Sequence, residues 1–132
     1  MGGRGTFAAG NSVDYTYKTT KTVNGPLGPV KVLEGIGNKH ALPEESHSSN
    51  AYIKLRPNGI FHEMRIYDSD HYLAKEIAFH IEPKIDPSRK PVLHVHEYKR
   101  DNFSDRQARP ITKSEYNLYK PYFLGVPEIE KW

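Results

Sequence analysis

The chain has no cysteine, two methionines and one tryptophan in 132 residues. Without cysteine there is no disulfide framework, no thiolate nucleophile and no Cys-ligated zinc, and the composition fits a reducing compartment. Long apolar runs are also missing. Nothing approaches the roughly 18 residues that cross a bilayer, which predicts a cytoplasmic protein with no membrane partner. The opening Met1-Gly2-Gly3-Arg4-Gly5-Thr6 lacks the apolar region of a secretory leader and meets only the loose Gly2/Thr6 pattern of N-myristoylation. Charge is balanced rather than one-sided. A net charge of +3 is compatible with phosphate backbones but lacks the dense basic cluster that makes nucleic acid the default partner. The length allows one modest core, and ten prolines beside ten glycines assign much of the rest to loops.

What is present concentrates between Ala51 and Tyr98, which holds the longest β patterning and five of the seven histidines. Ala51 to Arg56 alternates apolar and polar, breaks at Pro57-Asn58-Gly59, and resumes from Ile60 to Tyr67, which is a hairpin signal. With Asn58-Gly59 as a two-residue loop, Leu55 faces His62, Ile53 faces Met64 and Ala51 faces Ile66 on an apolar side. Lys54 then faces Glu63 and Tyr52 faces Arg65 on a charged side. In a third strand, Leu73, Ile77, Phe79 and Ile81 alternate with Ala74, Glu76, Ala78 and His80, and Lys75 is the misfit. In a fourth, Pro91 to Tyr98, Leu93 and Val95 oppose His94, His96 and Tyr98. The predicted fold is α+β: a central antiparallel sheet of about four strands with a C-terminal helix and long polar loops.

Residues 1–12 read as a flexible arm, 13–123 as a single α+β domain and 124–132 as a tail. The Thr- and Tyr-rich stretch from Asp14 to Val23 suits an edge strand or extended arm. It can pair with Val30 to Gly35 as a separate hairpin across the turn cluster Asn24 to Pro29. The polar stretch from Gly37 to Asn50 is a loop, with Pro43 able to open one helical turn. Three prolines between Glu82 and Pro91 mark a connection. Thr112-Lys113-Ser114-Glu115 is a capping-box pattern ahead of Tyr116, Leu118, Tyr119, Tyr122 and Phe123, which predicts a helix from about Lys113 to Tyr122, disturbed by Pro121.

The chemistry-bearing residues fall on the polar side of the sheet. His94 and His96 are two apart on one strand, so their side chains share a face about 7 Å apart. Joined by His80 or Glu76 from the neighbouring strand, they supply nitrogen ligands for a divalent ion, zinc first. Alternatively, one imidazole is a general acid or base while Arg65 stabilises a developing phosphorane, which is metal-free ribonuclease chemistry with no cofactor. The spacing does not choose between the two. His40 or His47, with Ser48 or Ser49, can cover this face as a loop. His62 falls in register with the apolar side and His71 in a turn, so neither is a candidate. Lys54, Arg56, Lys99, Arg100, Arg106 and Arg109 are the candidate RNA-binding cations.

Arg65-Ile66-Tyr67-Asp68, Glu76-Ile77 with His80, and Pro91-Val92-Leu93-His94-Val95-His96, followed by Arg100, Pro110 and Thr112 to Glu115, together resemble a known pattern. It is that of type 24 polymorphic-toxin domains and neighbours of phage head-morphogenesis genes, nuclease-like domains of the barnase, EndoU, colicin and RelE group. The resemblance spans about residues 35–123, and the opening is similar to short prophage reading frames. It implies a phage-encoded protein in a bacterial host that binds or cleaves RNA, with His80, His94, His96 and Arg65 at the matching positions and Glu76 beside them. The chain departs from the pattern at His71, where a glycine is usual, and at Ala78, where an acidic residue is usual. A non-catalytic phage protein, either an inhibitor of a host defence nuclease or a minor virion component, is the alternative, with a host or phage protein as partner. Oligomeric state is not legible.

Overall fold

The computed structural model describes residues 17–35, 42, 49–99 and 107–129. Among these, one seven-stranded sheet dominates, in which the strands lie side by side in chain order. They are β1 (Tyr17–Gly25), β2 (Gly28–Gly35), β3 (Ala51–Leu55), β4 (Phe61–Tyr67), β5 (Leu73–Ile81), β6 (Pro91–Glu97) and β7 (Ala108–Pro110), followed by a short helix α1 (Lys113–Tyr119) and a 3-10 turn, Lys120–Tyr122. Every neighbouring pair is antiparallel except β2 and β3, which run parallel. No helix among the described residues is long and apolar enough to cross a membrane.

The four-stranded α+β expectation is therefore corrected to a mixed, mostly β fold with, among the described residues, a single short helix. Two physical reasons account for the difference. The hairpin β1–β2 is not separate: Lys31 pairs with Tyr52 and Val32 with Ile53, and that short parallel contact joins it to the rest. At the other edge β7 is only three residues long, too short for any alternation to be read, and it closes on His94 to His96. Helix α1 starts where its pattern says. Thr112 accepts from the Glu115 backbone N–H while the Glu115 side chain accepts from the Thr112 N–H, a complete capping box. It gives way to the 3-10 turn at Lys120, one residue before Pro121.

One face of the sheet is a continuous core. Val30, Val32, Ala51, Ile53, Met64, Ile77, Leu93 and Val95 meet Ile111, Tyr116, Tyr122 and Phe123 from the C-terminal segment. Phe61 and Phe123 lie 4.9 Å apart at its centre. Beyond the helix, the Phe61 N–H donates to the Leu124 carbonyl, and Val126 and Ile129 pack on the core, so residues 124–129 of the expected tail are docked. Tyr122 reaches furthest: its hydroxyl donates to the Gly28 carbonyl and accepts from the Leu27 N–H, pinning the β1–β2 turn. Only glycine fits at 25, because a Cβ there would stand 2.5 Å from the Tyr122 ring.

The predicted β3–β4 register holds from Ala51 opposite Ile66 to Lys54 opposite Glu63, then shifts so that Leu55 faces Phe61 instead of His62. The turn is longer than the two-residue loop: the Gly59 N–H donates to the Arg56 carbonyl, with Pro57 and Asn58 central and Gly59 left-handed at φ 85°. The extra residue is His62, and the bulge turns it off the apolar face. A second shift, between Ile66 and Tyr67, places Leu73 opposite Tyr67 and carries it to the polar face. There Leu73 joins Tyr17, Leu33, Leu42, Tyr52 and Tyr67 in a second buried cluster, with Tyr98 against it.

Candidate functional site: a histidine row beside an open cleft

The polar face has two ends that differ in what burial has done to them. At one end, Tyr52, Arg65, Glu76 and His96 lie in line across β3 to β6. Arg65 Nε donates to Glu76 Oε2 at 2.8 Å, and its Nη1 donates to the Leu42 carbonyl at 2.7 Å. Arg65 and Glu76 are both buried. Burial works against the guanidinium charge, but the field of Glu76 and its hydrogen bond outweigh it, and the Arg65 pKa rises. Glu63, one position along, has its pKa raised by burial and then by Glu76. Arg65 and Glu76, both catalytic candidates from sequence, thus face each other as a buried ion pair.

At the other end four imidazoles touch in sequence across β4, β5 and β6. Ring centres are 5.9 Å apart for His62 and His80, 4.5 Å for His80 and His94, and 5.1 Å for His94 and His96, every pair edge to face. The register explains the row: Ala78 lies between Glu63 and His94, and its small side chain leaves room for the rings on either side. His94 is fully buried. Its Nδ1 donates to the Val92 carbonyl at 2.9 Å, which fixes the tautomer and leaves the Nε2 lone pair buried with no hydrogen-bond partner among the described residues. Burial lowers the His94 pKa, against a smaller opposing effect of that Val92 bond. His62 is lowered to about 4, first by burial and then by the positive charges of Arg56 and Lys54. It is neutral at pH 7.

His62 also borders a cleft. Beyond their two paired residues, β2 and β3 diverge, and a space of about 710 Å³ opens between Val32, Leu33 and Glu34 on one side and Lys54, Leu55 and Arg56 on the other. Pro57, Gly59 and Thr20 complete the rim. Arg56 is held there by Nη2 donating to the Phe79 carbonyl at 2.8 Å, two strands away. Two cations therefore come from the β3 wall, with one carboxylate opposite.

The sequence-derived candidates are thus divided rather than assembled. His80, His94 and His96 are together; Arg65 and Glu76 are adjacent but buried; Lys54 and Arg56 line the cleft. Lys99 is exposed, whereas Arg109 lies in β7, donating through Nε to Glu97 and through both terminal nitrogens to Glu115. Glu115 also accepts from Lys75, which explains that misfit in the third strand: it reaches the helix. Arg100, Arg106, His40, His47, Ser48, the N-terminal arm and Pro43 lie outside the described residues. His62 is the residue that alternation missed. The signal that could have found it is Pro57-Asn58-Gly59, a tripeptide suited to a three-residue turn with a bulge. Among the described residues no group of three or more His, Asp or Glu side chains is arranged to hold a metal ion as it stands. No family model, no curated protein and no solved structure matches the chain.

Proposed function

We propose that the protein is an RNA-binding domain that takes a single-stranded segment into the β2–β3 cleft. The observation that carries this reading is the cleft itself, open between diverging strands and lined on its β3 wall by Lys54 and Arg56. Cations on a groove that tracks a phosphate backbone, beside rings on which bases stack, are the usual means of holding single strands. His62 supplies a ring on the cleft, with the His80 ring beside it. The resemblance to phage-borne, toxin-like nuclease domains points in the same direction. The test is fluorescence anisotropy of labelled single-stranded RNA in the presence of chelator. Binding that weakens with salt, and weakens at least about tenfold in Arg56→Glu with unchanged thermal stability, supports the reading. Salt-independent binding, or Arg56→Glu at wild-type affinity, defeats it.

A second reading, metal-free cleavage, is favoured by one specific contact, His62 against His80 at 5.9 Å. A neutral His62 takes the 2′-hydroxyl proton, Arg56 stabilises the phosphorane and His80 returns a proton to the leaving oxygen. The reactive imidazoles are then His62, on the cleft, and its ring neighbour His80, not the buried His94. Chelator-resistant cleavage lost in His62→Ala and retained in His71→Ala is the expected outcome. Turnover unaffected by His62→Ala sinks it, and a chain that neither binds nor cleaves RNA returns the weight to a protein partner.

A further inference from the structure

We infer that His80 and His94 form a bis-imidazole site for a divalent transition-metal cation. Three observations converge on it. His94 Nε2 is a lone pair with no hydrogen-bond partner among the described residues, on a side chain fully buried in the sheet. A buried polar atom left without a partner is destabilising, so a fold that keeps one invites a ligand. The Nδ1 atom of His94 is tied to the Val92 carbonyl at 2.9 Å, and that of His80 to the Ile81 carbonyl at 3.2 Å. One ring nitrogen donating to a backbone carbonyl while the other is turned outward is how metal-ligating histidines are oriented. The ring spacing agrees as well. With metal–nitrogen distances of about 2.0–2.1 Å and roughly 1.1 Å more to the ring centre, two imidazoles at about 90–110° on one ion have centres about 4.5–5.2 Å apart. His80 and His94 stand at 4.5 Å and His94 and His96 at 5.1 Å, both within that range, whereas His62 and His80, at 5.9 Å, fall outside; the Nδ1 bonds to backbone carbonyls then favour His80 as the partner of His94.

The site is two ligands deep, in keeping with no group of three or more donors among the described residues being arranged to hold an ion. Water fills the remaining positions. Entry is through His80, whose ring covers His94 and is itself only half-buried, so it can lift and resettle around an ion. Two imidazoles and water suit nickel or copper above zinc in the usual order of divalent affinities, and exclude magnesium and calcium, which take oxygen. The sequence centres the site on His94 and His96 with His80 or Glu76 added; in the fold the ring nearest His94 is His80, across the ladder.

The test titrates nickel(II) chloride into the untagged chain by isothermal calorimetry, with histidine nitrogen NMR as a second readout. The expected result is one ion per chain, a shift of the His94 Nε2 resonance, and affinity at least about tenfold weaker in His80→Ala. His80→Ala is the decisive variant because His80 is half-buried, whereas His94→Ala opens a hole in the sheet. His71→Ala, in a turn away from the row, keeps wild-type affinity. Absence of stoichiometric uptake by the wild type, or uptake unchanged in His80→Ala, overturns the site. Uptake that shifts other histidines and leaves His94 Nε2 unmoved also overturns it.

Discussion

The two ends of the polar face share strands β4 to β6, yet they have opposite characters. At the Arg65 end each charge meets its complement: Nε on Glu76 and Nη1 on the Leu42 carbonyl. At the histidine end the rings meet mainly one another, and His94 keeps a buried nitrogen with no hydrogen-bond partner among the described residues. Burial with a complement makes structure, whereas burial without one leaves unspent binding capacity. The difference marks Arg65 and Glu76 as a paired, buried unit and leaves the histidines with a nitrogen open to a ligand.

The largest blow to that contrast is Arg65→Ala. It strands the Glu76 carboxylate in a buried site, and chemical denaturation should register a loss of about 3–5 kcal/mol. Replacing both partners by methionine should recover most of it, since neither charge is then left alone. A small effect of Arg65→Ala would mean that this end is as open as the other. Next comes Tyr122→Phe, which leaves the Leu27 N–H and Gly28 carbonyl without their shared hydroxyl and should cost about 1–3 kcal/mol. Removing the capping side chain in Thr112→Ala should cost about 1 kcal/mol, readable as a drop in melting temperature, while the histidine resonances stay in place.

The subtlest expectation concerns pH. The folded-state pKa of His62, about 4, lies below its ordinary 6.5, so the unfolded chain takes up a proton more readily than the folded one. Stability is therefore full above pH 6.5 and declines as pH falls through the interval down to about 4. Melting temperatures of wild type and His62→Gln across that interval should converge toward acid. Parallel curves would place His62 in solvent, away from Arg56 and His80.

Local signals carried much of this protein. The capping box at Thr112 to Glu115 set the helix start, and alternation set the β3–β4 register up to Lys54 and Glu63, because both are read from neighbours along the chain. His80, His94 and His96 were legible as one face for the same reason. Two bulges were not legible: each shifts a register by one residue, and one residue exchanges the faces of His62 and Leu73. Nor was the pairing of β2 with β3, since a two-residue parallel contact leaves no periodic trace. The amino-acid order alone thus determined the four central strands, where the helix begins and which residue types carry chemistry, but not the short edge strand β7. Tertiary structure decided which of those residues meet, because burial, the partner across the ladder and the opening between diverging strands are properties of segments brought together.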